Sequence, residues 1–314
     1  MGEEIQQEPT WRKNIPAPRD RIQSQVLASV VGALLTGLTA WTLALAHPIT
    51  AGFTAFTVGS IAVSVLFATA AWLLKAATPA AATCGGVICF LLTYWTGSPL
   101  NSLSRSALLP LAVLFLITFL ATRAGRQKKA KVGLAEPRTG RTASQVIANL
   151  SVSALCATPF AGIAINNWIA HGYLSTEADL SLTPTLMKIM CLAALSEAAA
   201  DTVSSEIGQA FGGVPVMLPS LRQVEPGTDG AVTLLGTLSG AAACALVTLA
   251  GTWSMHLQLQ NAVAATAAGT GGLFFDSFLG ATIERRGWLG NDLVNFSSTA
   301  FAAAIAAALY QYFL

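Results

Sequence analysis

Two short stretches of this chain place acids and hydroxyls inside otherwise apolar sequence. The first is Ser196-Glu197-Ala-Ala-Ala-Asp201-Thr202-Val-Ser204-Ser205-Glu206-Ile-Gly208. If helical, Glu197, Asp201 and Ser205 stand at i, i+4 and i+8, stacked on one face. Two carboxylates at that spacing repel, and a bound divalent cation or an arginine reverses the penalty. Oxygen donors with serine and threonine hydroxyls suit Mg²⁺, which keeps waters and takes its remaining ligands from phosphates. Glu206 sits off that face and needs a helix end or a kink to join it. The second stretch is Gly269-Thr-Gly-Gly272-Leu-Phe-Phe-Asp276-Ser277-Phe-Leu-Gly280-Ala-Thr282-Ile-Glu284-Arg285, again an Asp followed by a hydroxyl and then an acid. Its glycines allow close helix approach or a local break. Glu197, Asp201 and Asp276 are the candidate metal ligands. Between the stretches, Glu225-Pro226-Gly227-Thr228-Asp229-Gly230 reads as a turn that can present backbone N–H groups to an anion. The bland alternative makes Asp201 and Asp276 helix-end residues paired with Arg285 and Arg286. Three such clusters on one side of a membrane favour a site.

That a membrane is involved follows from composition. Of 314 residues, 54% are hydrophobic and 10% charged, against about 25% charged in a soluble domain. An ordinary water-soluble protein is excluded. The apolar material falls into runs near the ~20 residues that cross a bilayer, so the expected fold is an all-α, polytopic transmembrane helix bundle. Nine runs qualify, near residues 25–46, 53–74, 80–96, 106–122, 145–165, 183–200, 231–253, 262–283 and 295–313. A polar cytoplasmic leader is expected over 1–24 and a single membrane domain over 25–314, with a basic cytoplasmic loop at 123–144 and a site loop at 201–230. The leader shows neither a secretory signal nor a transit-peptide pattern, which favours a prokaryotic cytoplasmic membrane over a plastid envelope.

Orientation follows from the basic residues. With nine spans and the N-terminus inside, fifteen of seventeen Lys and Arg fall at the inner face, Arg105 and Lys188 being the outliers. The acid-bearing clusters lie on that same side, whereas His47, His171 and His256 fall near the outer one. A net charge of +2 gives no reason to expect nucleic acid as a partner. The five cysteines lie within apolar runs without zinc spacing and read as small buried hydrophobes. Two further polar groups end on the inner side. Gln145 and Asn149 share a face at the start of the fifth run, and Asn295 and Ser297 open the last one after Asp292, a candidate cap. No phosphate loop, kinase glycine loop or nucleophile elbow is present.

These residues resemble a known family at several separated points. Thr122-Arg123-x-Gly125 with its lysines, Gly140-Arg141 through Gln145 and Asn149, Ala200-Asp201-Thr202-x-x-Ser205-Glu206-Ile-Gly208, Pro226-Gly227-Thr228-x-Gly230, Asp276-Ser277-x-Leu-Gly280-Ala281-Thr282 and Val294-Asn295 with Ser297-Ser298 run in the family's order. The family is one of integral membrane proteins of unassigned function that includes the phytyl-phosphate kinase of tocopherol synthesis and the animal transmembrane protein 19. Asp229, Ala231 and Glu284 depart from its usual pattern of asparagine, glycine and glutamine.

The resemblance implies an integral membrane prenyl-phosphate kinase. It would move a phosphoryl group from a nucleoside triphosphate, with CTP among the candidate donors, to an isoprenoid monophosphate such as phytyl phosphate. It assigns catalysis to Asp201, Glu206, Asp276 and Arg141. Arg123, Lys128, Gln145, Asn149, Thr202, Ser205, Gly227, Thr228, Gly230, Ser277 and Asn295 would bind substrate or nucleotide, and Glu197, Asp201 and Asp276 would hold Mg²⁺. Prenyl chain length, nucleotide and oligomeric state are left open. The second reading is a membrane transporter or lipid flippase with an acidic ion site, since glycine-interrupted helices bearing acids also build such sites. Clustering at one face instead of mid-membrane weighs against it.

Overall fold

The computed structural model describes residues 15–46, 51–98, 103–137, 139–163 and 183–313. Expectations resting on the acids and bases of the first fourteen residues, on Arg138 and on His47 and His171 lie outside them.

The helices are α1 (Ala17–Leu45), α2 (Ala51–Leu73), α3 (Pro79–Thr96), α4 (Leu108–Arg123), α5 (Arg126–Lys131), α6 (Ala143–Ala157), α7 (Thr183–Phe211), α8 (Leu234–Ser254), α9 (Leu259–Leu279) and α10 (Asn291–Phe313). A π-helical turn, Gly280–Glu284, continues α9. Strands β1 (Val216–Met217) and β2 (Ala231–Val232) pair antiparallel and close the long loop between α7 and α8. The architecture is the expected all-α membrane bundle, and each of the nine expected spans overlaps a helix, although α6 ends at Ala157, short of the expected 165.

Six helices meet both the length and the apolarity of a crossing segment: α1, α2, α3, α8, α9 with its π turn, and α10. The other three fall short for different reasons. Helices α4 and α6 are apolar but have 16 and 15 residues. Helix α7 has 29 residues but carries Lys188, Glu197, Asp201 and Glu206. It can carry them because it is enclosed: α4, α6, α8, α9 and α10 all pack on it, and Ile189 and the run Cys191–Leu195 are fully buried. Lipid meets the surrounding helices, whose outer faces expose Val30, Val65, Leu116, Leu246 and Val263.

Three expectations are corrected. Helix α1 begins at Ala17, inside the expected leader, because Pro18 suits a helix start and its first turns are anchored to the loop before α10. Arg19 donates to the Gly287 carbonyl at 3.0 Å, Gln23 donates to that of Trp288 at 2.8 Å, and the Gly290 N–H donates to Gln23 Oε1 at 2.8 Å. The basic loop contains a helix, α5. Asp292 lies within the first turn of α10, after Asn291 has begun the helix, so it is not the cap.

The helices alternate in direction, so one end of the bundle gathers the basic residues. There Arg123 at the end of α4 donates to the Leu74 carbonyl after α2 (2.8 Å), and the Thr78 N–H before α3 donates to the Arg141 carbonyl before α6 (3.0 Å). At the far end, Ser254 donates to the Ser106 carbonyl at 2.9 Å and Trp95 donates to Thr42 at 3.0 Å.

Candidate functional site

The basic end holds a polar cavity of about 290 Å³, far larger than the roughly 10–15 Å³ that one water requires. Its walls are the start of α6, the C-terminal half of α7, the 226–233 loop, the end of α9 with the π turn, and the start of α10. Asp201, Thr202, Ser205, Glu206, Asp276, Ser277, Arg141, Gln145, Asn149, Asn295, Gly227, Thr228 and Gly230 all line it. These thirteen are residues expected from sequence, now converging from five segments.

Local rules explain how each wall is held. Helix α6 opens with a capping box: Thr142 Oγ1 accepts from the Gln145 N–H at 3.4 Å, and Gln145 Oε1 accepts from the Thr142 N–H at 2.8 Å. The oxygen of Gln145 is thereby committed to the cap. One turn on, Asn149 donates to the Gln145 carbonyl at 2.8 Å and accepts from Asn295 at 3.4 Å, which ties α6 to α10. Ser298, one turn after Asn295, donates to Asp276 at 3.1 Å. Ser297, singled out from sequence, instead bonds back to the Leu293 carbonyl at 2.7 Å.

The loop wall depends on backbone contact. Gly230 has φ +72°, and a Cβ there would stand 2.0 Å from the Ala281 N in the π turn. Gly280 meets the same loop from the other side, its Cβ position lying 2.7 Å from the Gly230 N. These contacts account physically for the glycines of both strings. They also alter the role expected of Thr228: its N–H and its hydroxyl both bond the Glu225 carbonyl, at 3.2 and 2.7 Å. Thr228 shapes the turn. The π turn brings buried Glu284 into the cavity wall, an irregularity of a kind frequent at functional sites.

Three predicted residues stand elsewhere. Arg123 packs its guanidinium over Phe119, 3.8 Å from the ring centroid, besides bonding Leu74. Lys128 lies over the Phe211 ring at 4.8 Å. Glu197 is buried beneath the cavity, one turn below Asp201, and its Oε1 has no hydrogen-bond partner among the described residues. Gly272 makes room for it, since a Cβ there would stand 2.5 Å from Glu197 Cγ. Glu197, Asp201 and Asp276 are near enough to repel one another, while Arg141 attracts Asp201.

Glu284, noted from sequence as the acid of the second stretch, lines the cavity. Sequence reading missed Glu136, which also lines it, and Lys129 and Ser298, which hold the wall residues Glu206 and Asp276. Lys129 is buried, forms an ion pair with Glu206 and donates to the Thr122 carbonyl at 2.9 Å. Nothing in the composition of Lys128-Lys129-Ala-Lys131 distinguishes it; the distinction comes from which face of α5 meets α7. Breaking a buried pair costs about 3–5 kcal/mol because the remaining charge is stranded. Lys129→Ala should therefore lower the melting temperature by several degrees, with Lys128→Ala near wild type, as thermal unfolding in detergent would register.

Among the described residues no three acids, histidines or cysteines converge closely enough to hold a metal on their own. Mg²⁺ does not require that, being bound typically through one or two carboxylates plus phosphates. Asp201 and Asp276 facing one cavity of oxygen donors fit such an ion.

A second, apolar cavity of about 110 Å³ adjoins the first, and Glu136, Arg141 and Asn149 border both.

Residues 62–303 match the family described as integral membrane protein DUF92. The chain belongs to that family. Among similar proteins, an uncharacterized membrane protein of Methanocaldococcus jannaschii is 31% identical over 223 residues, covering 70% of this chain and 80% of the relative. An uncharacterized membrane protein of Synechocystis is 31% identical over 196 residues, covering 61% and 69%. Protein VTE6, chloroplastic, of Arabidopsis thaliana is 27% identical over 206 residues, covering 65% of this chain and 58% of the relative. No solved structure matches. The matched region includes the acids of α7, the loop glycines, Asp276 and Asn295.

Proposed function

We propose that this protein is a prenyl-phosphate kinase that transfers a phosphoryl group from a nucleoside triphosphate, CTP being one candidate, to an isoprenoid monophosphate such as phytyl phosphate. The observation that carries the reading is the polar cavity at the basic end, in which Asp201, Asp276 and Arg141 face one space beside an apolar cavity. Similarity to a family that includes phytyl-phosphate kinase supports the choice of reaction. Phosphoryl transfer needs positioning and charge neutralisation more than covalent help from the protein, and this wall supplies carboxylates, hydroxyls and a guanidinium without a nucleophile.

In the proposed step, a non-bridging oxygen of the acceptor phosphate attacks the γ-phosphorus in line. The bond from that phosphorus to the β–γ bridging oxygen breaks, and the nucleoside diphosphate departs with the electron pair. The acceptor is already an anion at neutral pH, so no strong general base is required. Mg²⁺ at Asp201 and Asp276 would neutralise charge on the donor phosphates. Arg141, held by Thr202 at 3.0 Å, sits where both cavities meet and would offset charge on acceptor and donor together. The cavity opens at the basic end, which the positive-inside rule assigns to the cytosol, and the proposed location is a prokaryotic cytoplasmic membrane.

The test is product formation by purified protein with Mg²⁺, offering phytyl, geranylgeranyl or farnesyl monophosphate with each of CTP, ATP, GTP and UTP. One pair should yield the diphosphate. No diphosphate from any pair, with well-folded protein, would overturn the reading and move attention to ion-dependent transport in vesicles.

A further inference from the structure

The apolar cavity beside the site has a defined origin. Helices α2 and α3 pack on each other, whereas α4 packs on α7 and α8 and scarcely touches α3. The gap is lined by small residues on one side (Ala71, Ala81, Ala82 and Gly85) and by Leu111, Leu114, Phe115 and Thr118 of α4 on the other. Phe67 and Phe115 meet edge to face at 5.4 Å across it. Its mouth is of opposite character. Lys75, Arg123, Arg126 and Arg141 border it, and the hydrogen bond from Arg123 to the Leu74 carbonyl straps α4 to the end of α2. Arg141 is fixed at this mouth by its backbone, because its N–H donates to the Ala76 carbonyl at 2.9 Å and its carbonyl accepts from Thr78.

We infer that this cleft between α2, α3 and α4 binds the hydrocarbon chain of a single-chain isoprenoid monophosphate, whose phosphate lies at Arg141. The inference rests on the proposed kinase reading for the name of the substrate. A mouth of four cations and one acid, Glu136, over a narrow and largely apolar interior is complementary to one long apolar chain with an anionic head. Continuity with the polar cavity through Glu136, Arg141 and Asn149 brings that head to where the donor phosphates would lie. At 1.5 Å per residue, the lining from Arg123 to Leu111 spans about 18 Å, and Gly85 lies about 10 Å beyond Thr78. A geranyl chain would end near Gly85, and a geranylgeranyl chain, twice as long, would pass it. A Cβ at Gly85 would meet Phe67 Cε1 at 3.7 Å, an ordinary contact, so a larger side chain there would extend into the cleft and shorten it.

Two measurements test this. Wild-type protein is photolabelled with geranylgeranyl monophosphate carrying a diazirine at the chain terminus, and the labelled peptides are mapped. Label should fall on α4 around Leu111 and on α3 beyond Gly85, and should persist in excess phosphatidic acid. Label on the lipid-facing helices, or its displacement by phosphatidic acid, would mean bulk lipid contact and overturn the inference. This readout requires neither a variant nor turnover. In the second, Gly85→Leu should lower kcat/KM for geranylgeranyl phosphate at least about tenfold relative to geranyl phosphate, the scale on which apolar pockets discriminate added carbons. An unchanged ratio would overturn the inference. Label in the cleft without any diphosphate would refute the kinase reading and leave the isoprenoid site standing; diphosphate with label elsewhere would do the reverse.

Discussion

Asp201→Asn and Asp276→Asn should each lower kcat by about a thousandfold or more, and Asp276→Asn should not lower thermal stability when Mg²⁺ is absent. The two halves of this result share one cause. Asp201 feels attraction from Arg141 as well as repulsion from Glu206, whereas Asp276 feels repulsion from Asp201 and Glu284, with Glu197 buried beneath both. An amide of the same shape at Asp276 removes one charge from a group of acids, so the metal-free protein gains or keeps stability, whereas at Asp201 the relief is offset by the lost attraction to Arg141. The same change removes a ligand from the proposed cation. Charge stabilisation by a metal is worth several kcal/mol in a transition state, and at 1.36 kcal/mol per decade a loss of ~4 kcal/mol is about a thousandfold. Melting temperatures in EDTA and in Mg²⁺ with nucleotide, beside kcat, test both halves. The wild type should be stabilised by Mg²⁺ and nucleotide, and the variants should lose that increment. Glu197→Gln is the contrast: it lies outside the cavity, and its kcat should stay within about tenfold of wild type. Turnover retained in Asp201→Asn would remove the metal role from this aspartate.

The acids of α7 and α9 were legible in the sequence because their cost in an apolar run is independent of detail. Any carboxylate there needs a partner, a cavity or a cation, and Asp201 and Asp276 face the cavity. The choice among neighbouring residues of the same type was not legible. Lys128 and Lys129 differ by one position on a short helix whose phase is set by packing against α7, and only Lys129 reaches Glu206. Ser297 and Ser298 differ in the same way, since the rotation of α10 decides which hydroxyl meets Asp276. Gln145 could be read as a site residue or as the end of a Thr142-x-x-Gln145 capping box, and it is both a cap and a wall. The apolar cleft was invisible to linear reading. It exists because α4 packs on α7 and α8 in preference to α3, a choice made by tertiary packing among helices that are all apolar.

Arg141→Lys should lower kcat by about a hundredfold with a smaller change in either KM, and this result would separate geometry from charge. The arginine is held from both ends. Gly140, at φ +82°, lies so close to the α2–α3 connection that a Cβ would stand 2.5 Å from the Ala76 carbonyl carbon. The Arg141 backbone pairs with Ala76 and Thr78, and the side chain donates from Nη2 to Thr202 Oγ1 at 3.0 Å with Glu136 3.8 Å from Nε. Lysine keeps the positive charge near the cavity but presents a point charge on a flexible stem in place of a planar fork. Ground-state attraction of phosphates is largely preserved, so KM moves little. The loss falls on the transition state, where charge spreads over oxygens that two fixed donors can reach and one mobile ammonium cannot. Removing one preorganised donor of that kind costs ~2.7–4 kcal/mol, or a hundredfold to a thousandfold. Thr202→Val, which keeps the arginine but releases its tether, should produce a smaller loss of about tenfold in the same parameter. Equal losses for the two variants would show that orientation, and not the fork itself, carries the effect. A rise in KM with kcat unchanged in Arg141→Lys would instead assign Arg141 to ground-state binding.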